Sequence, residues 1–205
     1  MRTKIMILAL CLAVLAGLVT GSNIPPEGAV SKEYEVKAAF LYNFIRFVEW
    51  PDETHSVNEP IIVGILGEDR FGDAFELAKD KLVKARRVSL RRFESLRKDS
   101  RLEQENRLAA DMQIGNLKNC DVVFISASEK KYMGDILKAM EGSAVLTVGE
   151  TEGFLESGGM VNFVVEDGKI CFEINAAAAE QAGLEMRSRF MRLAKRIVKE
   201  EKSGV

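Results

Sequence analysis

The sequence predicts an α/β protein in which a mainly parallel sheet is flanked by helices on both faces, a Rossmann-like sandwich. Three short runs, residues 60–67, 121–126 and 143–149, are continuously apolar and end in turn residues. Such runs are typical of strands that are covered on both faces. Helical segments separate them along the chain, which favours parallel strands. A C-terminal β-hairpin and a helix complete the predicted domain, which spans residues 31–198.

The first 22 residues form a predicted signal peptide. Arg2 and Lys4 give it a positive start, residues 5–19 are apolar, and Gly21 is a small residue at the expected cleavage point. An uncleaved anchor is the weaker interpretation, because a membrane span needs about 20 apolar residues. We therefore expect an exported protein without membrane insertion after cleavage.

Composition and motifs exclude several classes of function. The net charge of −2 does not favour nucleic-acid binding, which needs a basic domain. The only histidine, His55, lies in a polar loop, which excludes histidine-rich metal sites and histidine-based catalytic triads. Neither a nucleophile elbow nor a phosphate-binding P-loop motif is present. We therefore expect no cofactor, no metal and no catalytic residue.

The first helix is predicted over residues 31–49 and ends before Pro51, which disfavours helix in the residue that precedes it. Its apolar residues recur every four positions, at Val36, Phe40, Phe44 and Val48. Phenylalanines in such a stripe, Phe47 included, are more often core than docking surface. Further along, residues 71–83 and 128–140 are predicted helices.

Three other segments complete the prediction. Residues 86–93 alternate between apolar and polar, so they form a strand with one wet face. The charged residues 95–117 are predicted to form an exposed helical insertion. The charged tail, residues 199–205, is predicted to fray.

A hairpin is predicted near the C-terminus. Residues 160–165 and 169–174 are two apolar runs, and Asp167-Gly168 between them supplies the positive φ angles of a tight turn. Asn175 stands where it can cap the alanine-rich helix that follows. Residues 184–198 are then predicted as an amphipathic basic helix.

The hairpin region carries a combined motif. Its positions are Gly153-Phe154, Gly158-Gly159-Met160-Val161-Asn162, Phe172-Glu173-Ile174-Asn175, Ala179, Ala182-Gly183-Leu184, Ser188, Met191 and Ala194. This pattern resembles the C-terminal half of the YfiR/HmsC family, DUF4154, and residues 36–51 resemble the opening helix of that family. The resemblance covers residues 34–195.

The resemblance implies a non-enzymatic periplasmic regulator. Such proteins bind the extracytoplasmic sensor domain of an inner-membrane GGDEF-type diguanylate cyclase and hold it inactive, and release raises cyclic-di-GMP and favours biofilm. It also implies a homodimer. We expect the partner contacts on the hairpin, because aromatic and methionine side chains are enriched at interfaces. The predicted contact residues are Met160, Phe163, Phe172, Glu173 and Asn175.

Two structural questions stay open at this stage. An oxidising compartment permits a disulfide between Cys120 and Cys171, but each lies in or beside a strand, where a buried free thiol is equally compatible. Glu173 is predicted to pair with Arg187 or Arg189, or else to face a partner.

Two alternative functions also stay open. The carboxyl ends of parallel strands, near Gly67, Ser126 and Gly149, predict a crevice that a small-ligand sensor uses without a cyclase partner. Gly64 and Gly67 indicate either an anion site or, more often, a tightly packed turn. A hydrolase with Glu150 and Glu152 as paired carboxylates is the remaining alternative.

Overall fold

The computed structural model describes residues 27–51, 59–78, 82–95 and 103–199. The predicted signal peptide, the loop with His55 and most of the charged tail lie outside these ranges. None of the helices within them is both long and apolar enough to cross a bilayer.

The helices and strands alternate along much of the chain. The strands are β1 (Val48–Glu49), β2 (Ile61–Leu66), β3 (Val88–Phe93), β4 (Val122–Ile125), β5 (Leu146–Gly149), β6 (Val161–Glu166), β7 (Lys169–Asn175), β8 (Glu185–Met186) and β9 (Arg196–Val198). The α-helices are α1 (Glu27–Phe47), α2 (Glu103–Lys118), α3 (Met133–Met140), α4 (Ala176–Gln181) and α5 (Ser188–Met191), and two 3-10 helices span Gly72–Ala78 and Ala127–Glu129.

Seven of these strands form one sheet in the order β3-β2-β4-β5-β6-β7-β9. Strands β2 to β6 all run parallel, β7 is antiparallel to β6, and β9 is parallel to β7. The predicted mainly parallel α/β sheet is therefore confirmed. The chain passes from β2 outward to β3 and returns on the other side of β2 as β4, and such a reversal of order opens a crevice at the carboxyl ends of the strands.

Helices cover both faces of the sheet. Side chains alternate between the two faces along each strand, so each strand contributes to the core on either side. On one face, Ile65 of β2 and Phe124 of β4 belong to the core beneath α1. On the other face, Val123 of β4 packs with Leu117 of α2 and Ile136 of α3. The helix predicted within residues 128–140 begins later than expected, at Met133, and the one predicted from residue 71 is a 3-10 helix.

The hairpin forms as predicted. Glu166 at the end of β6 pairs with Lys169 at the start of β7. The two residues between them have positive φ, 49° for Asp167 and 72° for Gly168. This is the conformation that two-residue hairpin turns need, and glycine adopts it without steric cost.

The prediction of a helix over residues 184–198 is wrong. The segment instead forms β8, the single-turn helix α5 and β9. Strand β8 pairs with β1, and the Arg187 amide donates a hydrogen bond to the Phe47 carbonyl at 3.0 Å. Phe190 is buried, and the Lys195 amide donates to the Phe172 carbonyl at 2.9 Å. Tertiary hydrogen bonds to α1 and β7 thus override the local helical pattern.

The charged segment that the sequence predicts to be an exposed insertion is exposed only in part. Its helix, α2, runs from Glu103 to Lys118, and Met112 on it is 64% exposed. Leu117, by contrast, is fully buried in the second core cluster. The end of α2 is therefore an integral layer of the sandwich.

The disulfide between Cys120 and Cys171 is not formed, and both are free thiols. Cys120 directly precedes β4, whereas Cys171 lies in β7, and β5 and β6 run between these two strands. Adjacent strands lie about 4.8 Å apart, so the three spacings from β4 to β7 add up to roughly 14 Å. The Cα atoms of two disulfide-linked cysteines lie no more than about 7 Å apart. Cys171 also pairs with Val164, beyond the carboxyl end of β5, at the opposite end of the strands from Cys120.

Phe154 accounts for Gly159 of the combined motif and for Gly149 at the end of β5. Its ring is 1% exposed and lies against the backbones of Gly149 and Gly159. A Cβ atom added to Gly149 would lie 2.3 Å from the ring, and one added to Gly159 would lie 2.1 Å from it. Rigid ring atoms cannot give way by that much. These glycines are therefore required by close packing of the loop that follows β5.

We predict that Gly159→Ala lowers the free energy of unfolding by about 1–3 kcal/mol, because the added methyl group overpacks the ring of Phe154. Gly115→Ala is the matched control: Gly115 lies in α2 with no atom within 4 Å of an added Cβ. It should raise stability by about 0.5–1 kcal/mol. Urea unfolding measures both, and a Gly159→Ala protein as stable as the wild type would contradict the packing.

We predict that Cys171 is alkylated faster than Cys120 in the native protein. Cys120 is 2% exposed, and burial raises the pKa of its thiol to about 11, so little thiolate is present to react. Iodoacetamide labelling followed by peptide mass spectrometry without reductant gives the two rates. Recovery of a disulfide-linked peptide that contains both residues would contradict the structure.

Candidate functional site

A cleft of about 660 Å³ opens at the carboxyl ends of the parallel strands. Ala127 after β4 and Glu150 after β5 line it, which agrees with the crevice that the sequence predicts beside Ser126 and Gly149. Its charged lining side chains are Glu33, Lys37, Arg70, Glu150, Glu152, Glu156, Glu173 and Arg196. Carboxylates outnumber cations in this set, so the cleft does not favour a polyanion such as a nucleotide.

A buried ion pair forms the inner wall of the cleft. Lys37 of α1 and Glu150 have side chains only 4% and 6% exposed, and the Lys37 Nζ lies 2.6 Å from a Glu150 carboxylate oxygen. Lys37 also pairs with Glu33 one turn earlier in α1. The Ala127 backbone amide donates to the other Glu150 oxygen at 3.0 Å. The pair thus ties α1 to the ends of β4 and β5.

Tyr34 completes this group from the same face of α1. Its hydroxyl donates to Glu150 and lies 2.9 Å from both carboxylate oxygens. Burial, followed by the negative charge of Glu150, raises the Tyr34 pKa well above its ordinary value. Tyr34 therefore keeps its proton and acts as a hydrogen-bond donor at neutral pH.

This arrangement holds structure together and is poorly suited to catalysis. The Glu150 carboxylate already accepts hydrogen bonds from Tyr34, Lys37 and the Ala127 amide. A general base must be free to accept a proton from a substrate. The hydrolase alternative with Glu150 and Glu152 is therefore not favoured by the geometry.

Arg196 forms the opposite wall. Its guanidinium donates to Glu156 at 2.9 and 3.0 Å and to Glu173 at 2.8 Å. Because Arg196 begins β9 and Glu173 lies in β7, this bridge fastens the last strand to the sheet. The predicted partners of Glu173, Arg187 and Arg189, are not the ones found: Arg187 pairs with Glu49 of β1.

The turn after β2 that contains Gly67 is tightly packed. This agrees with the second of the two interpretations that the sequence offers for its glycines, a packed turn rather than an anion site. A Cβ atom on Gly67 would lie 2.4 Å from the Ser128 hydroxyl and 2.7 Å from the Glu129 carboxylate. The Glu68 amide, which an anion site would use, donates to Ser128 at 3.0 Å. The turn therefore supports the neighbouring 3-10 helix.

Four of the five predicted partner-contact residues of the hairpin are buried, so the side chains at those four positions do not form an exposed surface. Met160, Phe163, Phe172 and Asn175 are 3–8% exposed, whereas Glu173 is half-buried; Phe163 and Glu173 both line the cleft. The physical reason is that α1 packs onto this face of the hairpin, bringing its phenylalanines against those of β6 and β7.

Asn175 has a structural role that the sequence does predict. Its side-chain oxygen accepts a hydrogen bond from the Ala178 amide at 3.0 Å and caps α4. Its side-chain amide donates to the Leu155 carbonyl at 3.1 Å. Asn162, in the paired strand, accepts from the Thr151 amide at 3.1 Å. Both asparagines thus hold the loop between β5 and β6.

Sequence reasoning missed Tyr34, Lys37 and Arg196. A signal for the first two exists in α1. The buried residues of this helix recur at spacings of three and four residues, rather than at the constant spacing of four on which the predicted stripe rests. The buried face includes Tyr34, Lys37, Ala38, Leu41, Phe44 and Ile45. A lysine at a core position of this repeat indicates a buried ion pair. No comparable local signal exists for Arg196, because its partners are distant in sequence.

Comparison with known families agrees with the resemblance seen in the sequence. A family model described as YfiR/HmsC-like, DUF4154, matches residues 34–195. The matched span contains most of α1, the main sheet up to β7 and the combined motif of the hairpin, and it ends directly before β9. No curated protein matches the chain.

Two solved structures are similar at low identity. One is described as a conserved domain protein from Vibrio cholerae; it is 12% identical, with a TM-score of 0.49 over 80% of this chain and 60% of that chain. The other is the ABC domain in complex with L-Trp from Streptococcus pneumonia, 11% identical, with a TM-score of 0.45 over 67% and 55%. The chain thus spans less than two thirds of either structure. Neither likeness bears on function.

We predict that Lys37→Met lowers the free energy of unfolding by about 3–5 kcal/mol, because it leaves the Glu150 carboxylate buried without its cation. Adding Glu150→Gln to this variant should recover part of the loss. Arg70→Met is the control, since the Arg70–Glu68 pair is half-exposed and such pairs contribute about 0–1 kcal/mol. Equal losses for Lys37→Met and Arg70→Met in urea unfolding would contradict the role of the pair.

Proposed function

The chain belongs to the YfiR/HmsC-like family, and from that premise we propose that it binds and represses the extracytoplasmic sensor domain of an inner-membrane GGDEF-type diguanylate cyclase. The observation that carries the proposal is the family match over residues 34–195. This family is known for periplasmic regulation of diguanylate cyclases. Export by a cleaved signal peptide, homodimer formation and control of biofilm are parts of the same proposal.

Repression of this kind requires binding and no covalent chemistry. A ligand shifts a two-state receptor only by the ratio of its affinities for the two states. The protein therefore has to bind the inactive cyclase more tightly than the active one, and moving the receptor from 1% to 99% inactive takes a ratio of about 10⁴. The tightly anchored α1 and hairpin supply a rigid surface, which lowers the entropic cost of such binding.

The cleft supports a second candidate, a small-ligand sensor without a cyclase partner. A volume of about 660 Å³ is within the usual range of small-molecule sites. Thermal-shift screening of periplasmic metabolites separates the two candidates, because a ligand that binds only the folded state raises the melting temperature by mass action. A ligand-dependent shift without any cyclase binding favours the sensor.

We predict that deleting the gene raises cellular cyclic-di-GMP, because the cyclase is released from repression. The wild-type gene on a plasmid should restore the original level. A gene that lacks the codons for residues 2–22 should not restore it, because its product stays in the cytoplasm. Mass spectrometry of nucleotide extracts measures each level.

The cyclase itself supplies the decisive control. In a strain that also lacks the repressed cyclase, deletion of the regulator should leave cyclic-di-GMP unchanged. An unchanged level after deletion in the strain that retains every cyclase would contradict the proposed function.

A further inference from the structure

The free end of the hairpin carries exposed apolar side chains. Val165 of β6 is 61% exposed and pairs across the hairpin with Ile170 of β7, which is half-buried. Leu193 is 62% exposed and lies three residues before Arg196, which pairs with Glu173. Leu193 lies in the turn before β9, two residues before Lys195, whose amide donates to the Phe172 carbonyl and whose ammonium pairs with Glu166. These contacts hold the segment that contains Leu193 against the hairpin, and we call Val165, Ile170 and Leu193 the hairpin patch.

The hairpin patch is the part of an apolar sheet face that α1 leaves uncovered. Val165 lies two residues beyond Phe163 and so points to the same face of β6. Phe163 is stacked on Phe44 of α1 at 5.5 Å between ring centroids. The apolar face of the hairpin thus continues past the core into solvent.

A basic segment borders the hairpin patch. Residues 187–199 contain six lysines and arginines and no acidic residue. Three of these cations form ion pairs, for example Lys195 with Glu166 of the hairpin at 2.8 Å. Arg189 and Arg192 are exposed and pair with no carboxylate among the described residues. Arg192 is adjacent to Leu193 and Arg189 lies one helical turn before it, so the segment that borders the patch is positively charged.

We propose that the hairpin patch is the surface that contacts the extracytoplasmic domain of the cyclase, and that the partner presents apolar side chains flanked by carboxylates. This inference rests on the proposed function and specifies where the contact is made. Apolar side chains within a charged rim are the usual anatomy of a protein interface. The charges of Arg189 and Arg192 call for an acidic counterpart.

Two other occupants fit the charges less well. A second copy related by a two-fold axis would bring Arg189 and Arg192 against the same basic rim, because both partners of such an interface use the same patch. An anionic lipid surface would attract these arginines but would be repelled by Asp167 at the hairpin tip. A protein partner can place opposite charges locally against both signs.

Three purified variants of the full-length mature protein test the proposal. Leu193→Glu inserts a charge into the apolar part of the patch, and Arg189→Glu/Arg192→Glu reverses its rim. Met112→Glu is the matched control, because Met112 is 64% exposed on α2, away from the hairpin. All replaced side chains are exposed, so each variant should fold, which circular dichroism and the melting temperature verify.

The readout is the affinity for the recombinant extracytoplasmic domains of the GGDEF-type cyclases of the same organism, measured by calorimetry. We expect Leu193→Glu and the double arginine variant each to bind at least tenfold more weakly than the wild type, and Met112→Glu to bind within twofold of it. Wild-type affinity should also fall as salt is raised, and this dependence should weaken in the arginine variant.

The alternative outcomes overturn the proposal in distinguishable ways. If all variants bind a cyclase domain as tightly as the wild type does, the hairpin patch is not the contact, while the proposed function stands. If the wild type binds none of these domains, both fail. If the patch variants lose binding to anionic vesicles but bind the cyclase domain as the wild type does, the patch binds lipid. If the variants instead lose a dimer that the wild type forms in sedimentation, the patch contacts a second copy of the chain.

Discussion

The packing of α1 onto the hairpin is the constraint from which the rest of the structure follows. Phe44 lies 5.5 Å from Phe163 and 5.0 Å from both Phe172 and Phe190, measured between ring centroids. All four rings are at most 3% exposed. Aromatic pairs add about 0.5–1.5 kcal/mol each beyond their buried area. One cluster therefore joins the first helix, the hairpin and the C-terminal segment, and any docking surface must lie outside it.

The charged side chains around this core hold its elements together. At the carboxyl ends of the strands, Lys37 and Glu150 neutralise each other beneath the cleft, while Arg196 fastens β9 through Glu156 and Glu173. Removing charges from water is unfavourable unless they are paired, so these groups stay engaged in the folded state. Arg189 and Arg192, which pair with no carboxylate among the described residues, lie in the same segment as the exposed Leu193.

Much of the fold is predictable from local signals, and the failures have a common cause. Doubly buried strands, the turn at Asp167-Gly168 and the cap at Asn175 each depend on a few adjacent residues. Alternation along β6 shows that Phe163 and Val165 share a face, but it does not show how far α1 covers that face. Residues 184–198 likewise follow contacts with β1 and β7 that no local pattern contains. The contact surface that we propose lies where such coverage ends.

The central claim is that this protein represses a cyclase by docking onto it, and direct inhibition tests it best. The full-length cyclase in lipid nanodiscs exposes both its catalytic and its extracytoplasmic domains, so cyclic-di-GMP synthesis from GTP can be followed while purified regulator is added. The account predicts a rate that falls with regulator concentration and saturates at one bound regulator per cyclase sensor domain. A rate that stays unchanged at saturating regulator, with every GGDEF-type membrane cyclase of the organism, would contradict it.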